Sequence, residues 1–191
     1  GRIGRLGSAF LSRRQYGEEV DVSDDDVLSL LFIQAVITSV PAMCSSVLGT
    51  EDRPIVVYSN ASCEPGSLPR LGWVIFEQGH QPAGYTVDVP VAVFEAWLAR
   101  KQQIFPAETL CGNCVPATCA ERLRGKSVLW FIDNEAASSL IRGSSSQPDA
   151  LELVMTCHMQ LQQLQTRCWW EWIDTNSNAS DGLSRLGLND P

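Results

Sequence analysis

Leu129-Trp130-Phe131-Ile132-Asp133-Asn134-Glu135-Ala136-Ala137 is the stretch on which the fold turns. Residues 128–132 are apolar or aromatic without a break, as a buried strand requires. The residues after Asp133 read as a helix start: Asn134 can cap it, and Ala136, Ala137, Leu140 and Ile141 supply helix formers and apolar contacts. An acid between a strand and the next helix sits at the carboxyl rim of an α/β sheet, where such folds bind ligands. Asp133 is therefore either a helix-capping acid or part of a site, and the rest of the chain has to decide.

Upstream, residues 55–58 (Ile55-Val56-Val57-Tyr58) form a short apolar strand that ends at Ser59-Asn60-Ala61-Ser62. Residues 71–76 and 84–89 read as two more strands, and Gly79 and Pro82 suit a hairpin between them. Three strands in succession predict an antiparallel meander. Helical spacing returns with Val93, Phe94, Trp97 and Leu98, and a second helix is expected from Pro106 and Ala107, carrying Glu108, Leu110 and Cys111, with Pro116 placed to interrupt it. Downstream, the pattern predicts a helix over 134–141, a Gly/Ser loop over 142–147, a longer helix over 149–166, a strand over 168–173 and a closing helix over 178–186. The whole is an α/β fold with a mixed five-stranded sheet flanked by helices.

Residues 1–50 read as a helical extension. Residues 5–16 are weakly amphipathic, with Leu6, Phe10 and Leu11. Ser23 can cap a helix whose first turn holds Asp24, Asp25 and Asp26, where the dipole favours acids. That helix runs on through Leu28, Leu31 and Ile37 and should end before Pro41. The expected division is 1–50 extension, 51–187 main domain and 188–191 tail. Gly1 is not preceded by Met, and the chain reads as a fragment of something longer.

The chain is 45% hydrophobic over 191 residues, enough for one domain with a core. A net charge of −8 is a poor handle for a polyanion, since phosphate binding draws on Lys and Arg. Any nucleic-acid role must borrow positive charge from a metal or a neighbouring domain. Seven cysteines, with no signal peptide and no membrane-spanning run, lead to the expectation of a reduced, intracellular compartment and no membrane partner.

The acids that fall at strand ends or on facing helices are Glu108, Asp133, Asp174 and Asp181; Asn60 stands at the end of the first strand. Carboxylates gathered at one rim are what a two-metal phosphodiester site needs: hard oxygens hold Mg²⁺, and the ions activate water and stabilise the leaving oxygen. Each acid also has a plainer reading, Glu108 as a helix-start residue, Asp181 as a surface acid in a Ser/Asn-rich turn and Asn60 as a turn residue.

Taken together, Tyr58-Ser59-Asn60-Ala61-Ser62, Ala107-Glu108, Phe131-Ile132-Asp133-Asn134-Glu135-Ala136-Ala137 and Asn178-Ala179-Ser180-Asp181-Gly182-Leu183-Ser184-Arg185 resemble the four motifs of the ribonuclease H domain of retroelement reverse transcriptases. They match in order, in secondary-structure context and in steps of 48, 25 and 48 residues from Asn60 through Glu108 and Asp133 to Asp181. The resemblance covers about residues 53–187. It implies an Asp, Glu, Asp, Asp quartet that holds two Mg²⁺ (or Mn²⁺) ions and cuts the RNA strand of an RNA–DNA hybrid. Glu108, Asp133 and Asp181 match three members. It also implies a partner, the reverse transcriptase domain of the same polyprotein, with residues 1–50 as the end of its thumb or connection. Asn60 stands where the family has the Asp that bridges both ions. It brings one neutral carbonyl oxygen in place of two charged ones, so weak metal binding and impaired cleavage are expected, whether the change is natural or introduced. Asn176 stands where related domains often carry a His. A non-catalytic ribonuclease H shell that braces a polymerase or binds hybrid is the alternative.

Candidate phosphate contacts are Arg122, Arg124 and Lys126, which equally read as a solvated helix end, and Arg142 with Ser144 in the loop after the Asp133 helix. Cys111, Cys114 and Cys119 with Cys157 and His158 invite zinc, but Cys111 and Cys114 are spaced as a core stripe on one helix, and no zinc is expected. His158 reads as a packing residue. Trp169, Trp170 and Trp172 are expected in the core, with base stacking as the alternative.

Overall fold

Parallel pairing of two strands that both end in polar residues brings those ends to one rim, and this decides the architecture. The computed structural model describes residues 24–39, 53–134 and 136–189. Its elements are α1 (Asp24–Ser39), β1 (Ile55–Ser62), β2 (Arg70–Phe76), β3 (Ala83–Asp88), α2 (Val91–Glu95), α3 (Ile104–Thr118), α4 (Ala120–Leu123), β4 (Ser127–Ile132), α5 (Ala136–Arg142), α6 (Pro148–Gln163), β5 (Arg167–Trp172) and α7 (Asp181–Leu186). The sheet runs in the order β3-β2-β1-β4-β5. β1, β2 and β3 pair antiparallel as the expected meander, and β4 and β5 add parallel to β1.

One face of the sheet carries the main core. Val57, Trp73, Trp130 and Trp170 are buried there beneath α3, α5 and α6. Ser59 shares that face because Trp130 donates its indole N–H to the Ser59 hydroxyl at 2.8 Å; a buried indole needs such an acceptor. His158 is a packing residue: its Nε2 lies 3.0 Å from the Leu140 carbonyl and its ring 5.0 Å from that of Trp170. α1 lies against α6 with Phe32 buried. It is apolar around most of its girth, so Val27, Leu30, Leu31 and Ile37 remain exposed. The expected helix over 5–16, the Ser23 cap and the stop at Pro41 lie outside the described residues. No helix of the described residues is long and apolar enough to cross a membrane.

Several expectations are corrected. β1 does not stop after Tyr58 but runs to Ser62, because its polar half pairs with β2 as far as Ser62↔Arg70. α2 stops at Glu95, although Trp97 is still buried with its ring 5.9 Å from that of Phe94. Pro116 does not interrupt α3. Proline deprives the Gly112 carbonyl of its helical N–H partner, and the Cys157 thiol of α6 donates to that carbonyl instead, at 3.2 Å. Of the three β5 tryptophans only Trp170 is core; Trp169 and Trp172 are 58% and 59% exposed, since β5 is an edge strand.

α7 covers the opposite face near the rim, and its seat is a glycine. A Cβ on Gly72 would lie 2.5 Å from the Ser184 nitrogen and 2.8 Å from the Leu183 carbonyl carbon. Side chains of the sheet then satisfy α7 carbonyls: the Ser62 hydroxyl donates to Ser184 O, and Thr86 Oγ1 donates to Leu183 O at 3.1 Å. Gly72→Ala is therefore expected to push α7 off β2 and to destabilise the domain by about 1–3 kcal/mol, as overpacking does. Denaturant unfolding measures the loss, and protease sensitivity confined to the C-terminal helix locates it.

Candidate functional site

β1 outruns its parallel neighbour. The last β1–β4 pair is Ser59↔Ile132, so Asn60 and Asp133 each stand one residue past it, on the same rim. With β4 ended, the Ala61 N–H meets no strand on that side; it donates to Glu108 Oε1 at 2.9 Å and to its neighbour Asn60 Oδ1 at 2.8 Å. Glu108 reaches the rim from the first turns of α3. Asp181 opens α7, which Gly72 allows to lie close: Gly72 is the β2 partner of Asn60. Asn178 fixes the approach to α7, donating to Ser59 O at 3.2 Å and accepting from Ser180 through both N–H and hydroxyl.

Asn60, Glu108, Asp133 and Asp181 thus line one cleft of about 250 Å³, with Ser62, Cys63, Glu64, Ile104, Asn134, Thr175 and Arg185 on its walls. Sequence reasoning named the first four. It missed Arg185, whose signal was its i+4 spacing from Asp181 on one helix. Asn134 does cap the next helix, its Oδ1 accepting from Ala136 N at 2.6 Å.

The hydrogen bonds at the rim set the charges. Asn60 Nδ2 donates to Asp181 Oδ1 at 2.7 Å, and Arg185 Nε lies 3.0 Å from the same carboxylate. Asp181 therefore has a neutral donor and a cation already. Glu108 is 1% exposed, and burial pushes its carboxyl well above the ordinary value; the Ala61 N–H opposes this, while the charges of Asp133 and Asp181 push further up. Glu108 Oε2, Asp133 Oδ1 and Asn134 Nδ2 are buried and, among the described residues, have no hydrogen-bond partner.

The donor chemistry suits a divalent cation only in part. The two orphaned carboxylate oxygens are hard ligands that a cation would satisfy. Asp181, however, is turned to Asn60 and Arg185, and no group of three or more His, Cys, Asp or Glu among the described residues is placed to hold a metal ion. The full two-ion set does not fit this arrangement.

The remaining candidates lie elsewhere. Lys126 immediately precedes the six-residue β4 and Asp133 immediately follows it, about 23 Å apart along the strand. Arg122 is paired with Glu77 at 3.1 Å, and Arg124 reaches Glu121 at 3.7 Å. Arg142 ends α5, at the far end from Asp133, and neither it nor Ser144 lines the cleft. Asp174 and Asn176 are exposed in the β5–α7 turn, and only Thr175 between them faces the cleft. Cys111 and Cys119 are buried in the core, and Cys114 packs against it.

No family model matches the sequence, and no curated protein sequence matches it. In structure the chain is similar to the N-terminal RNase H domain of a Mycobacterium tuberculosis protein, solved as a fusion with maltose-binding protein, with a TM-score of 0.53 and 13% identity over 71% of this chain and 94% of that one. It is similar to RNase H1 of the halophilic archaeon Halobacterium salinarum NRC-1 with a TM-score of 0.53 and 13% identity over 73% of this chain and 100% of that one. The mixed five-stranded sheet flanked by helices is the ribonuclease H fold.

Proposed function

We propose that this chain is a ribonuclease H-type domain of a retroelement reverse transcriptase polyprotein, which takes RNA–DNA hybrid at the rim cleft and cleaves it poorly or not at all. The retroelement setting is supported by the four ordered motifs around Asn60, Glu108, Asp133 and Asp181, and the hybrid substrate by those motifs on a ribonuclease H fold. In this reading residues 51–187 are the nuclease-type domain and residues 1–50 the end of the polymerase's thumb or connection.

The observation that carries the impairment is the 2.7 Å hydrogen bond from Asn60 to Asp181. An amide N–H occupies the side of Asp181 that a shared cation would take. Glu108 and Asp133 are the residues that would hold Mg²⁺ or Mn²⁺, and a bound ion would supply an activated water and stabilise the leaving oxygen. Glu108 braces the rim through Ala61, and Arg185 holds Asp181 in place. The same satisfaction of Asp181 without an ion favours, as the second reading, a domain that binds hybrid and braces a polymerase without cutting.

Asn60→Asp separates the two. It sets a second carboxylate against Asp181 and removes the donor. Without metal the variant is expected to lose about 1–3 kcal/mol, the cost of an unsatisfied buried polar group, or about 2–12 °C in Tm for a domain of this size. Millimolar Mg²⁺ or Mn²⁺ should restore the Tm of the variant, leave that of the unmodified chain nearly unchanged, and switch on cleavage of a labelled hybrid. A variant that binds hybrid, regains its Tm with metal and still does not cut supports the bracing reading.

Glu108 gives a pH signature. Its folded carboxyl holds a proton more tightly than the ordinary value of 4.5. Its contribution to stability is then fully present below 4.5 and is lost as pH rises above that value toward the raised one. Glu108→Gln, which imitates the protonated form and keeps an acceptor for Ala61, should raise the Tm at pH 7 in metal-free buffer and flatten its fall above pH 4.5. Thermal melts across pH, with and without the substitution, check this.

A further inference from the structure

Trp172 ends β5 on the same rim as the cleft. It is paired in parallel register with Ile132, so its neighbour across the sheet is followed directly by Asp133. Its indole N–H donates to the Asp133 backbone carbonyl at 3.2 Å. Three residues later the same turn puts Thr175 on the cleft wall. The ring is nonetheless 59% exposed. A single exposed apolar residue is ordinary, but this one is bonded by its polar edge to the main chain of a candidate site acid, next to the residues that line the cleft.

The charges nearby point to the kind of contact the rim can make. Arg185 is paired with Asp181, Arg70 with Asp88, Arg100 with Asp149 and Arg122 with Glu77. In a chain of net charge −8, Arg185 is the arginine on the cleft wall, and its commitment to Asp181 leaves little beside the cleft for phosphate. Stacking on an aromatic face is the non-ionic alternative, and it tolerates any base because every base has a π-face. Bases inside a hybrid duplex are already stacked on each other, so the base that can reach an exposed ring is unpaired.

We propose that Trp172 is a stacking platform for an unpaired nucleobase where single strand adjoins the hybrid held at the cleft. The proposal rests on the hybrid-binding reading and deepens it by naming the junction as the preferred ligand. The indole face receives the base, and the N–H bonded to Asp133 O places the ring at the rim without being needed for the stack. Trp169 is a different case, since its N–H is directed to Glu171 rather than to the rim.

The test is binding of the full chain, in EDTA, to two fluorescently labelled hybrids of the same sequence, one blunt and one with a short single-stranded overhang. The unmodified chain should prefer the overhang by about 5- to 150-fold, the range that one aromatic–base stack commands. Trp172→Ala should abolish the preference and leave blunt binding unchanged, and far-UV circular dichroism should report an intact fold, as expected for an exposed side chain. Trp172→Phe, which keeps a ring but loses the N–H, should keep most of the preference. If Trp172→Phe behaves as Trp172→Ala, the ring serves only to hold Asp133 and the proposal is overturned. Equal binding of blunt and overhang hybrid by the unmodified chain overturns it as well, with the hybrid-binding reading left standing. Failure of the unmodified chain to bind either hybrid removes both.

Discussion

The rim depends on how closely α7 lies on β2. At Gly72 there is no room for a side chain between the sheet and the backbone of Leu183 and Ser184. That contact sets the height of Asp181 above its neighbours, and because Gly72 is the β2 partner of Asn60, the residue that must be small stands next to the residue that must meet Asp181. The hydroxyls of Ser62 and Thr86 then take the α7 carbonyls that a short helix cannot satisfy internally. Close backbone packing at Gly72, reinforced by these side-chain hydrogen bonds, carries Asp181 to its place.

Once those groups are together, the question is how a buried acidic cluster keeps its charge without help. Coulomb repulsion and desolvation both favour protonation, and at Glu108 burial is the larger cause. Asp181 has an amide and a guanidinium within hydrogen-bonding distance; the part-buried amide bond contributes about 1.5–3 kcal/mol, and the exposed Arg185 pair about 0.3–0.5 kcal/mol. Glu108 is nearly inaccessible and leans chiefly on the Ala61 N–H, so its carboxyl is pushed up. An Asp at position 60 would offer Asp181 no donor and add a further charge. Asn60 therefore stabilises the cleft in the absence of metal by the same hydrogen bond that disfavours a shared ion.

The main architecture was legible because its signals are periodic and local. The apolar run ending at Asp133, the meander and the helix around Glu108 follow from burial patterns and turn residues; place at strand and helix ends singled out Asn60, Glu108, Asp133, Asp174 and Asp181, and the ribonuclease H resemblance chose the four candidate site residues among them. What the sequence hid was polar or tertiary. Ser59 and Asn60 are buried in a strand although they read as its end, because their partners, Trp130 and Asp181, lie 71 and 121 residues away. Pro116 reads as a break because the thiol that replaces its missing donor comes from another helix. The tryptophans of β5 read as core because hydrophobicity does not tell an edge strand from a central one; only the order of strands does. The Arg122–Lys126 cluster reads as one patch, yet each arginine turns to its own acid, and the group sits at the opposite end of β4 from the carboxylates.

That dispersal of positive charge bears on how an acidic domain can meet a polyanion. Binding driven by released counterions scales with the number of phosphates neutralised, and Arg185, Arg70, Arg122 and Arg100 are occupied by Asp181, Asp88, Glu77 and Asp149. Each pair that opened to grip a phosphate would leave an acid uncompensated, so the net ionic gain is small. In the proposed hybrid-binding role these four arginines would therefore add little to the salt-dependent part of the affinity. Under the proposed function, ionic attraction would come from cations outside these pairs, such as Lys126, Arg142 and Arg167, or from another domain.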